Sequence, residues 1–102
     1  MGRVKELKQN IHLMSVNSSL LYLEASSNYT IIHYRNGERE VSSYNLQVFE
    51  KMLEDLPSFK RIHRSYIVNM KHVTNVKSDE SAVSLINGTN LRISRRSRVL
   101  LK

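Results

Sequence analysis

The chain has no cysteine, no tryptophan, a single proline and three glycines among its 102 residues. Without cysteine, no disulfide and no thiolate metal site can form, and the composition suits a reducing compartment. The glycines are Gly2, Gly37 and Gly88, too scattered for a P-loop or a dinucleotide fingerprint. No apolar run approaches the ~18 residues that a membrane span requires, and the N-terminus is polar where a secretion signal would be apolar. A cytoplasmic protein without membrane contact is therefore expected. Acidic residues are missing from two long stretches. All nine lie at or before Glu80, and none falls between Leu56 and Lys77.

Cations fill those stretches. Lys60, Arg61, Arg64, Lys71 and Lys77 occupy the first, and Arg92, Arg95, Arg96, Arg98 and Lys102 crowd the C-terminus, within a net charge of +7. A charge run is usually a solvated face. Two acid-free basic segments separated by a hairpin favour a polyanion partner instead, and nucleic acid ahead of a membrane, because no basic amphipathic helix accompanies them. With 40% hydrophobic residues, the chain can bury one core but not two, so residues 1–102 are expected to form a single domain. Residues 1–9 are expected to be partly disordered or an addition from cloning.

Strand signals dominate. Ile11–Val16 alternates, and Leu20–Glu24 is an apolar run with Leu21 and Leu23 on one face and Tyr22 on the other. Ala25-Ser26-Ser27-Asn28 is a polar connection, and Tyr29–Tyr34 is rich in β-formers. Asn36-Gly37 and Asn87-Gly88 are hairpin signals, read as type I′ turns, returning through Arg39–Ser43 and Asn90–Ile93. The tyrosines interleave with aliphatics and read as core or hairpin pairs. From Asn45, a plausible N-cap, Leu46, Phe49, Leu53 and Leu56 fall at helical spacing until Pro57, which predicts a helix over Leu46–Glu54 with its apolar stripe in the core. Tyr66–Val68, Val73–Lys77 and Ala82–Ile86 complete the strands, and Ser94 can cap a terminal helical turn. The pattern is mostly antiparallel β.

Catalysis and metal binding find little support. His63 and Ser65 stand two apart, where strand alternation would put both on one face, but no neighbouring carboxylate orients the imidazole and no oxyanion motif is present. His12, His33, His63 and His72 lack any metal-ligand spacing. No catalytic residue, cofactor, metal or small-molecule substrate is expected.

The organising stretch is Phe59 to Asn69, where Lys60, Arg61, Arg64 and Ser65 form a basic loop placed directly against the strand-like Tyr66-Ile67-Val68. The string Arg61-Ile62-His63-Arg64-Ser65-Tyr66-Ile67-Val68-Asn69 resembles the central signature of the LytTR family, DNA-binding output domains of bacterial response regulators. Leu21-Tyr22-Leu23-Glu24-Ala25 with Asn28-Tyr29 before it, and Ile93-Ser94-Arg95-Arg96 after it, match in the family's order and at about its spacing.

The resemblance implies an elongated stack of small antiparallel sheets, with one short helix and a terminal helical turn, that meets DNA through loops. It implies base reading by Asn28, Arg64 and Arg96, and backbone contacts by Lys60, Arg61, His63, Ser65, Ser94 and Arg95. Ser26-Ser27 replaces a longer or glycine-containing loop common in the family, and Arg92 stands where a proline is frequent. The expected function is sequence-specific binding of double-stranded DNA in transcription regulation, as a response-regulator output domain or a stand-alone regulator. Two copies on direct repeats, and a homodimer on DNA, are the implied assembly. The alternative from charge alone is an RNA-binding or ribosome-associated basic β-domain.

Overall fold

The computed structural model describes residues 19–77, 79 and 81–95. Among them a five-stranded antiparallel sheet is built from β1 (Leu20–Ser26), β2 (Tyr29–Tyr34), β3 (Arg39–Ser42), β4 (Phe59–His63) and β5 (Tyr66–Asn69), in the spatial order β3-β2-β1-β5-β4. A second sheet is the three-stranded meander β6 (Val73–Lys77), β7 (Ala82–Leu85) and β8 (Asn90–Arg92). The described residues extend 43 × 25 × 24 Å, so the stack is elongated. The expected strand Ile11–Val16 and the terminal turn beyond Arg95 lie outside the described residues.

Both faces of the larger sheet are covered. On one, the helix α1 (Leu46–Met52) packs Leu46, Phe49, Met52 and the following Leu53 against Leu20, Leu23, Ile32, Phe59 and Ile67. On the other, Leu21, Tyr22, Ile62 and Val68 meet Val83, Leu85, Leu91 and Ile93 of the meander. This is why β1, central in the sheet, is buried over four successive residues and shows no clean alternation. The expected pairing of Leu21 with Leu23 on one face is wrong. An irregularity between Leu20 and Tyr22 lets Leu20 and Leu23 share the helix side and sends Leu21 and Tyr22 to the meander.

Asn45 caps α1 as its sequence predicts, its Oδ1 accepting from the Val48 N–H at 3.1 Å. The helix is shorter than expected, ending at Met52, with Leu53 as its C-cap and the Pro57 turn following. The two Asn-Gly turns form hairpins but not of type I′. Only the glycines take positive φ, +92° at Gly37 and +90° at Gly88, while Asn36 and Asn87 do not. The Gly37 N–H donates to Tyr34 O and the Tyr34 N–H to Glu38 O, the pattern of a type I turn followed by a glycine bulge, and Leu85, Gly88 and Thr89 repeat it. Each asparagine accepts from the N–H two residues on, Glu38 or Thr89, and so braces its turn.

The main departure is β4. Lys60 and Arg61 are strand residues, paired with Val68 and Ile67, and only Arg64 and Ser65 remain as the turn into β5. Ile62 is an extra residue between the Arg61–Ile67 and His63–Tyr66 pairs, so alternation breaks after Arg61; Phe59 packs on the helix side and Ile62 on the meander side.

Candidate nucleic-acid interface

Three connections converge at one end of the larger sheet. The β1–β2 hairpin closes at the Ser26–Tyr29 pair, leaving Ser27 and Asn28 exposed at its tip. Ser27 holds a φ of +57°, a left-handed value for which glycine is the usual residue. Beside it runs the β4–β5 turn, because β1 also pairs with β5 through Glu24 and Tyr66, and the Ala25 N–H donates to Ser65 O at 2.9 Å. The segment after β8 joins from the other side, the Ser94 N–H donating to Ile62 O at 2.7 Å. Backbone hydrogen bonds thus fix Asn28, Arg64 and the Ser94-Arg95 segment to one framework, as a docking surface requires.

Asn28, Arg64 and Arg95 are exposed on this end, and His63, Ser65 and Ser94 are half-buried beneath them. Arg96 lies outside the described residues. Lys60 is exposed but stands three residues before His63 on the edge strand, about 10 Å away along it. Arg61 is turned elsewhere. Its guanidinium donates to His63 O at 2.8 Å and Arg64 O at 2.6 Å, and meets Glu50 of α1 at 3.2 Å.

His63 and Ser65 do interact, but through the backbone: the Ser65 N–H donates to His63 Nδ1 at 3.1 Å. That bond requires an unprotonated Nδ1, so the neutral ring carries its hydrogen on Nε2. Burial, and then the positive charges of Arg64, Arg92 and Arg61, hold the His63 pKa below its ordinary value. Ser65 lies in the turn, not on a strand face beside His63.

A row of rings supports this end. Tyr22 stacks on His33 at 4.1 Å and meets Tyr66 edge-on at 6.2 Å, and Tyr66 adjoins His63 at 5.6 Å, so the row crosses four adjacent strands. Glu24 Oε1 lies 2.9 Å from His33 Nε2 and anchors the far end. Tyr29 holds a hairpin-pair position opposite Ser26, as expected of the tyrosines, but is 52% exposed next to Asn28. Sequence reasoning missed Glu50, whose only signal is a carboxylate on the outer face of a helix, and gave Arg92 no part in tuning His63.

Among the described residues this end is acid-poor and built from two turns and the Ser94-Arg95 segment on a β framework, an arrangement suited to a polyanion. The chain belongs to the LytTR family: residues 9–102 match the model of the LytTr DNA-binding domain. It is thus a DNA-binding domain of that family. It is 31% identical over 93 residues to the transcriptional regulatory protein LytR of Staphylococcus aureus strains N315 and USA300, an alignment covering 88% of this chain and 37% of theirs. The chain therefore spans little more than a third of those relatives. A LytTr DNA-binding domain from Bacillus cereus superposes with a TM-score of 0.72 at 32% identity, covering 82% of this chain and 78% of that one. No helix among the described residues is long and apolar enough to cross a membrane.

Proposed function

We propose that this chain, folded as one domain over residues 1–102, reads a specific double-stranded DNA sequence through its loop end. It acts in the cytoplasm, as the output domain of a two-component response regulator or as a stand-alone regulator, and catalyses no reaction. Asn28, Arg64 and Arg96 read base edges. Arginine can offer a bidentate fork to guanine, and asparagine to adenine. Lys60, His63, Ser65, Ser94 and Arg95 hold phosphates, which fixes the register without reading sequence.

The observation that supports this reading is the tie between loops, Ala25 to Ser65 and Ser94 to Ile62, which joins the Asn28 hairpin, the Arg64 turn and the Ser94 segment to one framework. Two copies on direct repeats, dimeric on DNA, follow the family's habit. Selection from a random duplex pool tests it. A pair of short repeats spaced by about one helical turn, roughly 10 bp, is the expected outcome. An unenriched pool, or preference for structured RNA over duplex in competition, overturns it in favour of a basic RNA-binding domain.

A further inference from the structure

Arg61 has the residue type and position of a phosphate contact, yet its donors point inward. Its Nε–H donates to His63 O at 2.8 Å, and a terminal nitrogen donates to Arg64 O at 2.6 Å. The other terminal nitrogen lies 3.2 Å from Glu50 Oε1, in an ion pair with Arg61 26% and Glu50 48% exposed. The two carbonyls are consecutive and bracket the α-carbon of Arg64. One planar cation thus holds both sides of the residue that would read a base, and is itself held by the helix.

Two further backbone groups of the turn are also engaged. The Ser65 N–H is taken by His63 Nδ1, and Ser65 O by the Ala25 N–H. A two-residue turn carrying a long exposed arginine would otherwise be free to rotate, and the direction of Arg64 with it. The extra residue Ile62 follows directly after Arg61, so the brace spans the point where the β4–β5 register shifts.

We propose that Arg61 is a positioning residue, which sets the direction of Arg64 by holding the turn's carbonyls from an anchor on Glu50. This rests on the DNA-reading function proposed above. Arg61 then contributes to discrimination between sequences and little to the attraction for phosphate. Phosphate contact predicts the reverse.

Arg61→Lys separates the two, since lysine keeps the charge but loses the planar fork. Affinity for the selected duplex should fall about tenfold or more, the scale of one misaligned base contact. Affinity for scrambled duplex should stay within about twofold, with the salt dependence unchanged. Glu50→Ala, which leaves every cation in place, should lower discrimination in the same direction by a smaller factor. In the free protein, 15N order parameters at Arg64 and Ser65 should drop in Arg61→Lys from about 0.85 toward 0.6 or below. Retention of discrimination by Arg61→Lys, or unaltered relaxation at Arg64 and Ser65, overturns the proposal, as does an Arg61→Ala variant that weakens both duplexes equally and flattens the salt slope. If the wild-type chain selects no sequence, the DNA-reading function fails, while the relaxation measurement still decides whether Arg61 braces the turn.

Discussion

Ala25 on β1 and Ser65 in the turn before β5, forty residues apart in the chain, are joined by one backbone hydrogen bond of 2.9 Å from the Ala25 N–H to the Ser65 carbonyl. The hairpin tip bearing Asn28 and the turn bearing Arg64 are thereby parts of one rigid unit. Their contributions to binding should not be independent. A double-mutant cycle of Asn28→Ala and Arg64→Ala on the selected duplex should show a coupling of about 0.5–3 kcal/mol, whereas Asn28→Ala with Lys60→Ala should add to within about 0.5 kcal/mol. Anisotropy titrations of the four proteins in each cycle make the comparison.

Asn69 is fully buried and uses both ends of its amide, donating from Nδ2 to Leu20 O at 2.8 Å and accepting at Oδ1 from the Lys71 N–H at 3.1 Å. It ties β5 to the start of β1 and caps the 3-10 turn Met70–His72 that leads into the second sheet. Asn69→Leu keeps the volume roughly but strands a buried carbonyl and an amide N–H. Urea melts should show a loss of about 2–4 kcal/mol. A loss under about 0.5 kcal/mol, the range of ordinary surface substitutions, would mean that the junction relaxes around the missing amide.

Much of this arrangement was legible in the chain, and what was not has identifiable causes. Tyr29–Tyr34 and the asparagine cap of α1 follow from local chemistry, and the structure has both. Strand β4 does not read as a strand, because its pairing with β5 is a tertiary fact and an exposed edge tolerates Lys60 and a half-buried Arg61. The bulges at Leu20–Tyr22 and at Ile62 change which residues share a face, and a period-two pattern cannot register an extra residue. The Asn-Gly hairpins were legible as hairpins, but the turn type depends on the asparagine's φ, which its composition leaves open. The inward aim of Arg61 depends on two backbone carbonyls, which no side-chain pattern reveals.

His63 links the loop end to pH. Its pKa is held down in the folded chain, by burial first and then by Arg64, Arg92 and Arg61, from an ordinary value of 6.5. Above that value both folded and unfolded chains carry it neutral. As pH falls through it, the unfolded chain takes up the proton first, so stability declines until the lower folded-state pKa is reached. Protonation also removes the acceptor that Ser65 N–H uses. Urea melts between about pH 7.5 and about pH 5 should show this loss, and His63→Gln should show a shallower one. Equal acid slopes for the two proteins would assign the loss to other groups.

The most direct measurement compares Arg64→Ala with Lys60→Ala on the selected and scrambled duplexes across a salt series. The wild-type log–log slope should be about −4 to −7, corresponding to about five to eight neutralised phosphates. Both side chains are exposed, so both variants should melt as the wild type does. Arg64→Ala should cost about 1–3 kcal/mol on the selected duplex and less on the scrambled one. Lys60→Ala should weaken both about equally and make the slope shallower by about one. A wild-type slope near zero, or equal losses for Arg64→Ala on both duplexes, would contradict the account of a loop end that reads sequence beside an edge strand that holds phosphate.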